Sequence, residues 1–321
     1  MVELRRNPQL NVWVMVSAKR QHRPQMPKDW CPFCPGSGKV PDQYDVYLYP
    51  NDFPHLLAEP PEPEYPGDSF YQTKKAFGHC DVVLYSPNHR GSIKELSEDH
   101  LMKLFALWRD RTEEMKTKEY VKYCYIFENK GDVIGVTMPH PHGQIYSYPF
   151  IPMRIARELE CAQSHFHENQ RNLYEDIIQK ELQEKSRLIF ESDFFILCSP
   201  FAGDYPYETH LFCKKPRLYL ADLNEEEALD LMRSIVKTVK MYDALFGFQL
   251  PFMMAFHQAP VDGGDYSFYR YHVEFYPLHR APNNLKYNAG SETGAWASTN
   301  PSAPEDKAAE LRDVLKTVEG L

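Results

Sequence analysis

The chain has 321 residues, 25% of them charged and 43% apolar, the balance of a soluble globular protein with a sizeable core. A formal net charge of −9 speaks against a broad nucleic-acid surface, although a few local arginines could still hold an anionic substrate. The opening "MVELRRNPQLNVWVMVSAKR" has no apolar core of signal-peptide length, and no apolar run reaches the roughly 18 residues of a membrane span.

"VWVMVSA" reads as a strand and runs into the basic loop "KRQHRPQMPKDW". "CPFCPGSGKVPDQYD" is a turn-rich knuckle, and "YLYPNDFPHLLAEPPEPEYPGD" is too rich in proline for regular structure. Cys80 to Pro87 reads as a strand. A helix follows from about Ser97, its N-cap, with Leu101, Leu104, Phe105 and Trp108 on one face. The strand-like "YVKYCYIFENKG" leads to "VTMPHPHGQIYSYPFIP". In the second half a polar helical stretch runs from about Met153 to Lys185, and "RLIFESDFFILCSP" reads as a strand pair. A helix begins near Asn224 with Glu227 in a capping-box position, and its apolar face carries Ala228, Met232, Ile235 and Val239. "LPFMMAFHQAP" and "FYRYHVEFYPLH" are strands around a Gly-Gly loop. A last helix starts near Pro304, with Leu311, Val314, Leu315 and Val318 on one face. Strand, helix, strand and loop thus lead to His140-Pro141-His142 in one half and to His272-Val273-Glu274 in the other, a weak internal duplication without a linker.

If residues 139–146 are extended, His140, His142 and Gln144 share a face, and Pro141 marks an edge or a strand end. Gly143 would let a ligand approach the backbone. Such a face can present a neutral imidazole to a phosphorus atom while an amide holds a phosphate oxygen. A hydrogen bond from the other ring nitrogen to a backbone carbonyl would set the tautomer. The plainer reading is an edge strand that happens to carry two histidines.

Cys31-Pro32-Phe33-Cys34 in a turn can give two thiolates to a tetrahedral zinc. No second C-x-x-C exists, so histidines must complete the site, and His89 and His140 are the candidates. A redox pair is the rival, but the strand–CxxC–helix setting is missing. Seven cysteines, mostly scattered singly, suit a reducing cytoplasm rather than a disulfide framework. His257, His272, Glu274 and Glu158 form a donor set that suits iron or zinc, yet local spacing joins only His272 to Glu274. Cys161 and His165 are read as a solvated helix face, and His55, His79, His100, His210 and His279 are given no role.

Together "FENKG", "PHPHGQI" and "FIP" resemble the galactose-1-phosphate uridylyltransferase family, a branch of the histidine-triad superfamily. "CPFCPG", "YPNDFP", "LYSPNH", "FHQAP", "YHVEFYP" and "LKYNAGSE" fall in that family's order along most of the chain. The resemblance implies an α+β fold. Two histidine-triad-like halves, 1–152 and 153–321, would build an antiparallel half-barrel sheet flanked by helices in one fold unit. It implies a two-step exchange: UDP-glucose gives UMP to the enzyme, glucose-1-phosphate leaves, and galactose-1-phosphate takes the UMP. His142 would be the uridylylated nucleophile and Gln144 its phosphoryl-holding partner. Arg20 and Arg23 match phosphate contacts, while Asn51, Asp52, Asn129 and Thr137 match nucleotide contacts. Lys286, Tyr287 and Glu292 match the hexose region, across a homodimer interface. Cys31, Cys34, His89 and His140 would bind zinc; Glu158, His257, His272 and Glu274 would bind iron or a second zinc. Many members carry a third histidine where this chain has Glu274. The competing readings are an ADP-glucose phosphorylase of the same superfamily and a non-catalytic zinc-stabilised binding protein.

Overall fold

Residues 1–18 and 30–320 are described by the computed structural model; Arg20 and Arg23 lie outside them. Strands β1 (Val2–Asn7) and β2 (Val12–Ser17) form an antiparallel hairpin. The main sheet begins with β3 (Tyr47–Pro50), and β4 (Thr73–Lys75) returns to pair with β1. Then come β5 (His79–Leu84), α1 (Glu98–Lys116), β6 (Tyr123–Lys130) and β7 (His142–Tyr148). Two helices follow, α2 (Met153–Asn169) and α3 (Leu173–Glu184). The second half continues with β8 (Leu188–Glu191), β9 (Phe195–Cys198), β10 (Thr209–Cys213) and α4 (Glu225–Leu245). Strands β11 (Phe252–His257) and β12 (His272–Pro277) and helix α5 (Pro304–Glu319) complete the set used below.

Among the described residues, nine strands make one open antiparallel sheet in the order β3-β5-β7-β6-β11-β12-β10-β9-β8. From its central pair, β6 and β11, the sheet runs outward as β7, β5, β3 on one side and β12, β10, β9 on the other. The unit β5–α1–β6–β7 is therefore answered by β10–α4–β11–β12. Strand alternation sends Val83, Ile126 and Ile145 of the first half and Met254, Val273 and Phe275 of the second to one face, beneath α1, α4 and α5. The opposite face is covered unequally. Over the second half, α2 and α3 seat Ile155, Leu159 and Ile178 against Ile196 and Phe212. Over the first half, the cysteine knuckle packs Cys31, Phe33 and Val40 on Tyr49, Val82 and Leu84, and Leu4, Leu56 and Ala76 pack on Cys80 and Tyr146. No helix of the described residues covers this half of the face, and a cavity lies beside β7.

The helix starts follow their caps. Ser97 accepts from the His100 amide, and Asn224 and Glu227 form the expected box. The stretch from Met153 is two helices, not one: Gln170 takes a left-handed φ of 56°, and Asn172 caps the next helix through Tyr174 and Glu175. The proline-rich segment yields one regular piece, because Tyr47–Pro50 pairs with β5 as a short edge strand ending on its proline. No described helix is long and apolar enough to cross a membrane.

Gly143 is required for a different reason from ligand approach. It faces the α1 side, where a Cβ would stand 2.3 Å from the Tyr85 hydroxyl and 3.1 Å from the Phe127 carbonyl oxygen. Tyr85 is 1% exposed and cannot swing away. Gly143→Ala should therefore cost about 1–3 kcal/mol of stability in denaturant titration, an overpacking cost that shrinks in a Tyr85→Phe background.

Candidate active site and two candidate metal clusters

His142 is the first residue of β7, opposite Leu84 of β5, and Gln144 lies opposite Val82 and Phe127. Period-two alternation sends His142, Gln144 and Tyr146 to the face on which the knuckle packs. There they line a cavity of about 350 Å³ together with Asn51, Asp52, Asn129 and Thr137. Pro32 and Phe33 of the knuckle form another wall. Six of the residues expected at a nucleotide site thus meet in one place.

The two histidines of the H-P-H run do different work. His142 Nδ1 lies 2.8 Å from the His140 carbonyl oxygen. A carbonyl can only accept, so Nδ1 carries the hydrogen and Nε2 of the neutral ring carries the lone pair. His140 sits before the strand, outside the alternation expected for it, and its ring is drawn into the knuckle. Its Nε2 donates to the Ser86 carbonyl at 2.8 Å, so Nδ1 has the lone pair. That Nδ1 is 3.8 Å from both Cys31 Sγ and Cys34 Sγ, and His89 Nδ1 is 3.3 Å from Cys34 Sγ. Tetrahedral zinc with ordinary bond lengths separates sulfur from nitrogen by about 3.5 Å, which these distances bracket. Burial pushes the His140 pKa down to about 4, which keeps the ring neutral and able to ligate. The backbone bond to its far nitrogen fixes the ring's orientation, as a ligating imidazole needs.

The second cluster joins Glu158 of α2, His257 of β11, and His272 and Glu274 of β12, with one donor atom of each within 4.8 Å of the others. His257 and His272 are cross-strand partners, which explains how residues distant in sequence meet. His272 Nδ1 donates to the Arg270 carbonyl at 3.0 Å, repeating the His142 arrangement at the start of the matching strand. Its Nε2 is 3.4 Å from Glu274 Oε1, and His257 Nε2 is 3.3 Å from Glu274 Oε2. Tetrahedral nitrogen and oxygen ligands stand about 3.4 Å apart, so this donor set also fits a metal. His257 Nδ1 lies 3.0 Å from Glu158 Oε2, which also accepts from the Tyr269 hydroxyl at 2.7 Å. Burial alone would raise the Glu274 pKa, but the charges of His210, His257 and Arg154 beside it hold it well below the usual carboxylate range.

Lys286, Tyr287 and Glu292 are not brought to the cavity. Lys286 Nζ pairs with Glu292 at 2.6 Å, and Tyr287 stands 72% exposed. His165 of α2 bonds Asp176 of α3 at 2.8 Å and is half-buried between the two helices, while Cys161 is exposed. His210 was given no role, yet its Nε2 is 3.3 Å from Glu274 Oε1. The missed signal is β10 itself: its ladder register sets His210 directly across from Glu274.

Profiles for the N-terminal and C-terminal domains of galactose-1-phosphate uridyl transferase match residues 2–152 and 158–313. The galactose-1-phosphate uridylyltransferase of Thermotoga maritima is 36% identical over 98% of each chain. That of Haemophilus influenzae is 32% identical, over 90% of this chain and 87% of its own. A solved structure described as a uridylyltransferase superposes with a TM-score of 0.91 at 31% identity, covering 98% of this chain and 99% of its own. These likenesses define a nucleotidyltransferase. More narrowly, the chain belongs to the galactose-1-phosphate uridylyltransferase family.

The first cluster makes a direct prediction. Cys34→Ser protein should carry one metal ion fewer per chain than the unchanged protein by elemental mass spectrometry, whereas Cys161→Ser should carry the same number.

Proposed function

We propose that the chain transfers UMP from UDP-glucose to galactose-1-phosphate in a ping-pong cycle, through a uridylyl-His142 intermediate. The observation that carries this reading is the 2.8 Å bond from His142 Nδ1 to the His140 carbonyl, on the wall of the cavity. It makes Nε2 the nucleophilic atom. Nε2 attacks the α-phosphorus, the bond to the bridging oxygen breaks, and glucose-1-phosphate leaves with the electron pair. A phosphate oxygen of galactose-1-phosphate then attacks the same phosphorus. The phosphorus–nitrogen bond breaks, UDP-galactose departs, and His142 is neutral again. One phosphoanhydride is exchanged for another, so the reaction is near balance and needs no energy source.

Gln144, two residues along the same face, would hold a phosphoryl oxygen of the intermediate. Asn51, Asp52, Asn129 and Thr137 would bind the nucleotide side, with Arg20 and Arg23 on phosphate. Zinc would occupy Cys31, Cys34, His89 and His140; iron or a second zinc would occupy Glu158, His257, His272 and Glu274. A metal in the first cluster would tie the knuckle to the strand entry, which keeps the His140 carbonyl where His142 needs it. In this reading 1–152 and 153–321 are two triad-like halves of one unit, supported by the matched strand orders. Lys286, Tyr287 and Glu292 would serve a hexose in the partner's cavity of a homodimer, which agrees with the exposure of Tyr287 and with none of the three lining the cavity of its own chain. A cysteine set of seven, two of them assigned to a metal and the rest scattered singly, agrees with a cytoplasmic location.

Isotope exchange tests the cycle. With UDP-glucose and labelled glucose-1-phosphate, and no galactose-1-phosphate, label should enter UDP-glucose; His142→Ala should abolish this and Gln144→Ala should slow it at least about tenfold. Exchange that required galactose-1-phosphate would rule out the covalent cycle, and exchange confined to ADP-glucose would make the chain a phosphorylase-type enzyme.

A further inference from the structure

Beyond the four residues of the second cluster stands a fifth, His210. Its ring Nε2 faces two buried carboxylates at once: Glu208 Oε1 at 2.9 Å and Glu274 Oε1 at 3.3 Å. The side chains of Glu208 and Glu274 are 2% and 4% exposed, so neither charge can turn to water. Glu208 is itself anchored, because its Oε2 accepts from the backbone amides of Asp204 at 2.6 Å and Tyr205 at 3.0 Å. His210 is set by the sheet, as the cross-strand partner of Glu274. Backbone turn, Glu208, His210 and Glu274 therefore form one line ending on a candidate metal ligand.

We propose that His210 is a positioning residue for the second metal site, holding Glu274 through the Glu208–His210–Glu274 line. The proposal rests on the metal reading of that cluster. Two carboxylates facing one ring nitrogen require that nitrogen to carry a hydrogen. A nitrogen carrying hydrogen donates and does not ligate, so His210 is no fifth ligand. Its N–H steadies Glu274 Oε1 against the other groups that pull on this carboxylate. Besides the candidate ligands His257 and His272, these are the Tyr276 hydroxyl and, at 3.2 Å, the Arg154 guanidinium, both on Oε2. Without the donor at Oε1, the carboxylate would turn toward Arg154 and away from His272. The Glu208 end sets the tautomer. Glu208 accepts two backbone N–H groups on Oε2, so a glutamine there would keep its oxygen on those amides and present its NH2 to His210. His210 Nε2 would then become an acceptor and offer Glu274 a lone pair instead of a hydrogen.

The test is zinc(II) binding by the full chain, measured by chelator competition, with metals per chain counted alongside. The unchanged protein should bind two ions per chain. His210→Ala should weaken the second ion by about 10- to 100-fold, the usual cost of losing a residue that orients a metal ligand, and leave the first unchanged. His210→Gln, whose amide N–H reaches a similar point, should recover most of the affinity. Glu208→Gln, nearly identical in shape, should lose about tenfold through the reversed tautomer, a change that mere packing would not produce. One ion per unchanged chain would overturn the metal reading and this proposal with it. Two ions, with the Glu208→Gln protein and every folded His210 variant binding as the unchanged chain does, would overturn the positioning role alone. Should His210→Ala fail to fold, Glu208→Gln decides the matter by the same criterion.

Discussion

A single hydrogen bond, from His142 Nδ1 to the carbonyl oxygen of His140, organises the site. It selects a tautomer, and the tautomer selects which nitrogen can act. The carbonyl that accepts it belongs to a residue whose ring is turned into the cysteine knuckle. One short run of chain therefore serves two jobs: the His140 side chain braces the fold and its backbone aims the next histidine. The same bond recurs between His272 and Arg270 at the head of β12. In the first half the aimed nitrogen belongs to a cavity. In the second half α2 and α3 cover the same position, and the aimed nitrogen belongs to a buried donor cluster.

The cavity is polar without being strongly charged. Among its described lining residues there is no lysine or arginine; Asn51, Asn129, Thr137 and Gln144 supply neutral hydrogen-bonding groups. This is how a chain of net charge −9 can present a surface to an anion: oriented dipoles in a partly enclosed site act where a bulk field would repel. Lys39 stands 3.8 Å from the lining residue Asp52, and Arg20 and Arg23, which the resemblance assigns to phosphate, lie outside the described residues.

Much of this could be read in the sequence, and the limit has a physical form. Local rules worked where the interaction is local. Ser97 and Asn224 cap their helices, His142 and Gln144 share a face, and the paired cysteines draw in His89 and His140. Interactions set by ladder register were out of reach. Spacing could not place His257 beside His272 or His210 across from Glu274, because each pair is joined only when two distant strands align. The neighbour that Gly143 must leave room for was out of reach for the same reason: Tyr85 is contributed by the chain leaving the adjacent strand. The family resemblance bridged the gap at Glu158 and His257. It offered nothing at His210, which lies outside the motifs that carry it.

The most direct measurement is the intact mass of the protein after brief incubation with UDP-glucose. If the hydrogen bond to His140 makes His142 Nε2 a nucleophile, the chain should gain the mass of one UMP. Galactose-1-phosphate should remove it, and His142→Ala protein should show no gain. A folded, metal-loaded chain that never gains this mass, or gains it equally without His142, would contradict the account.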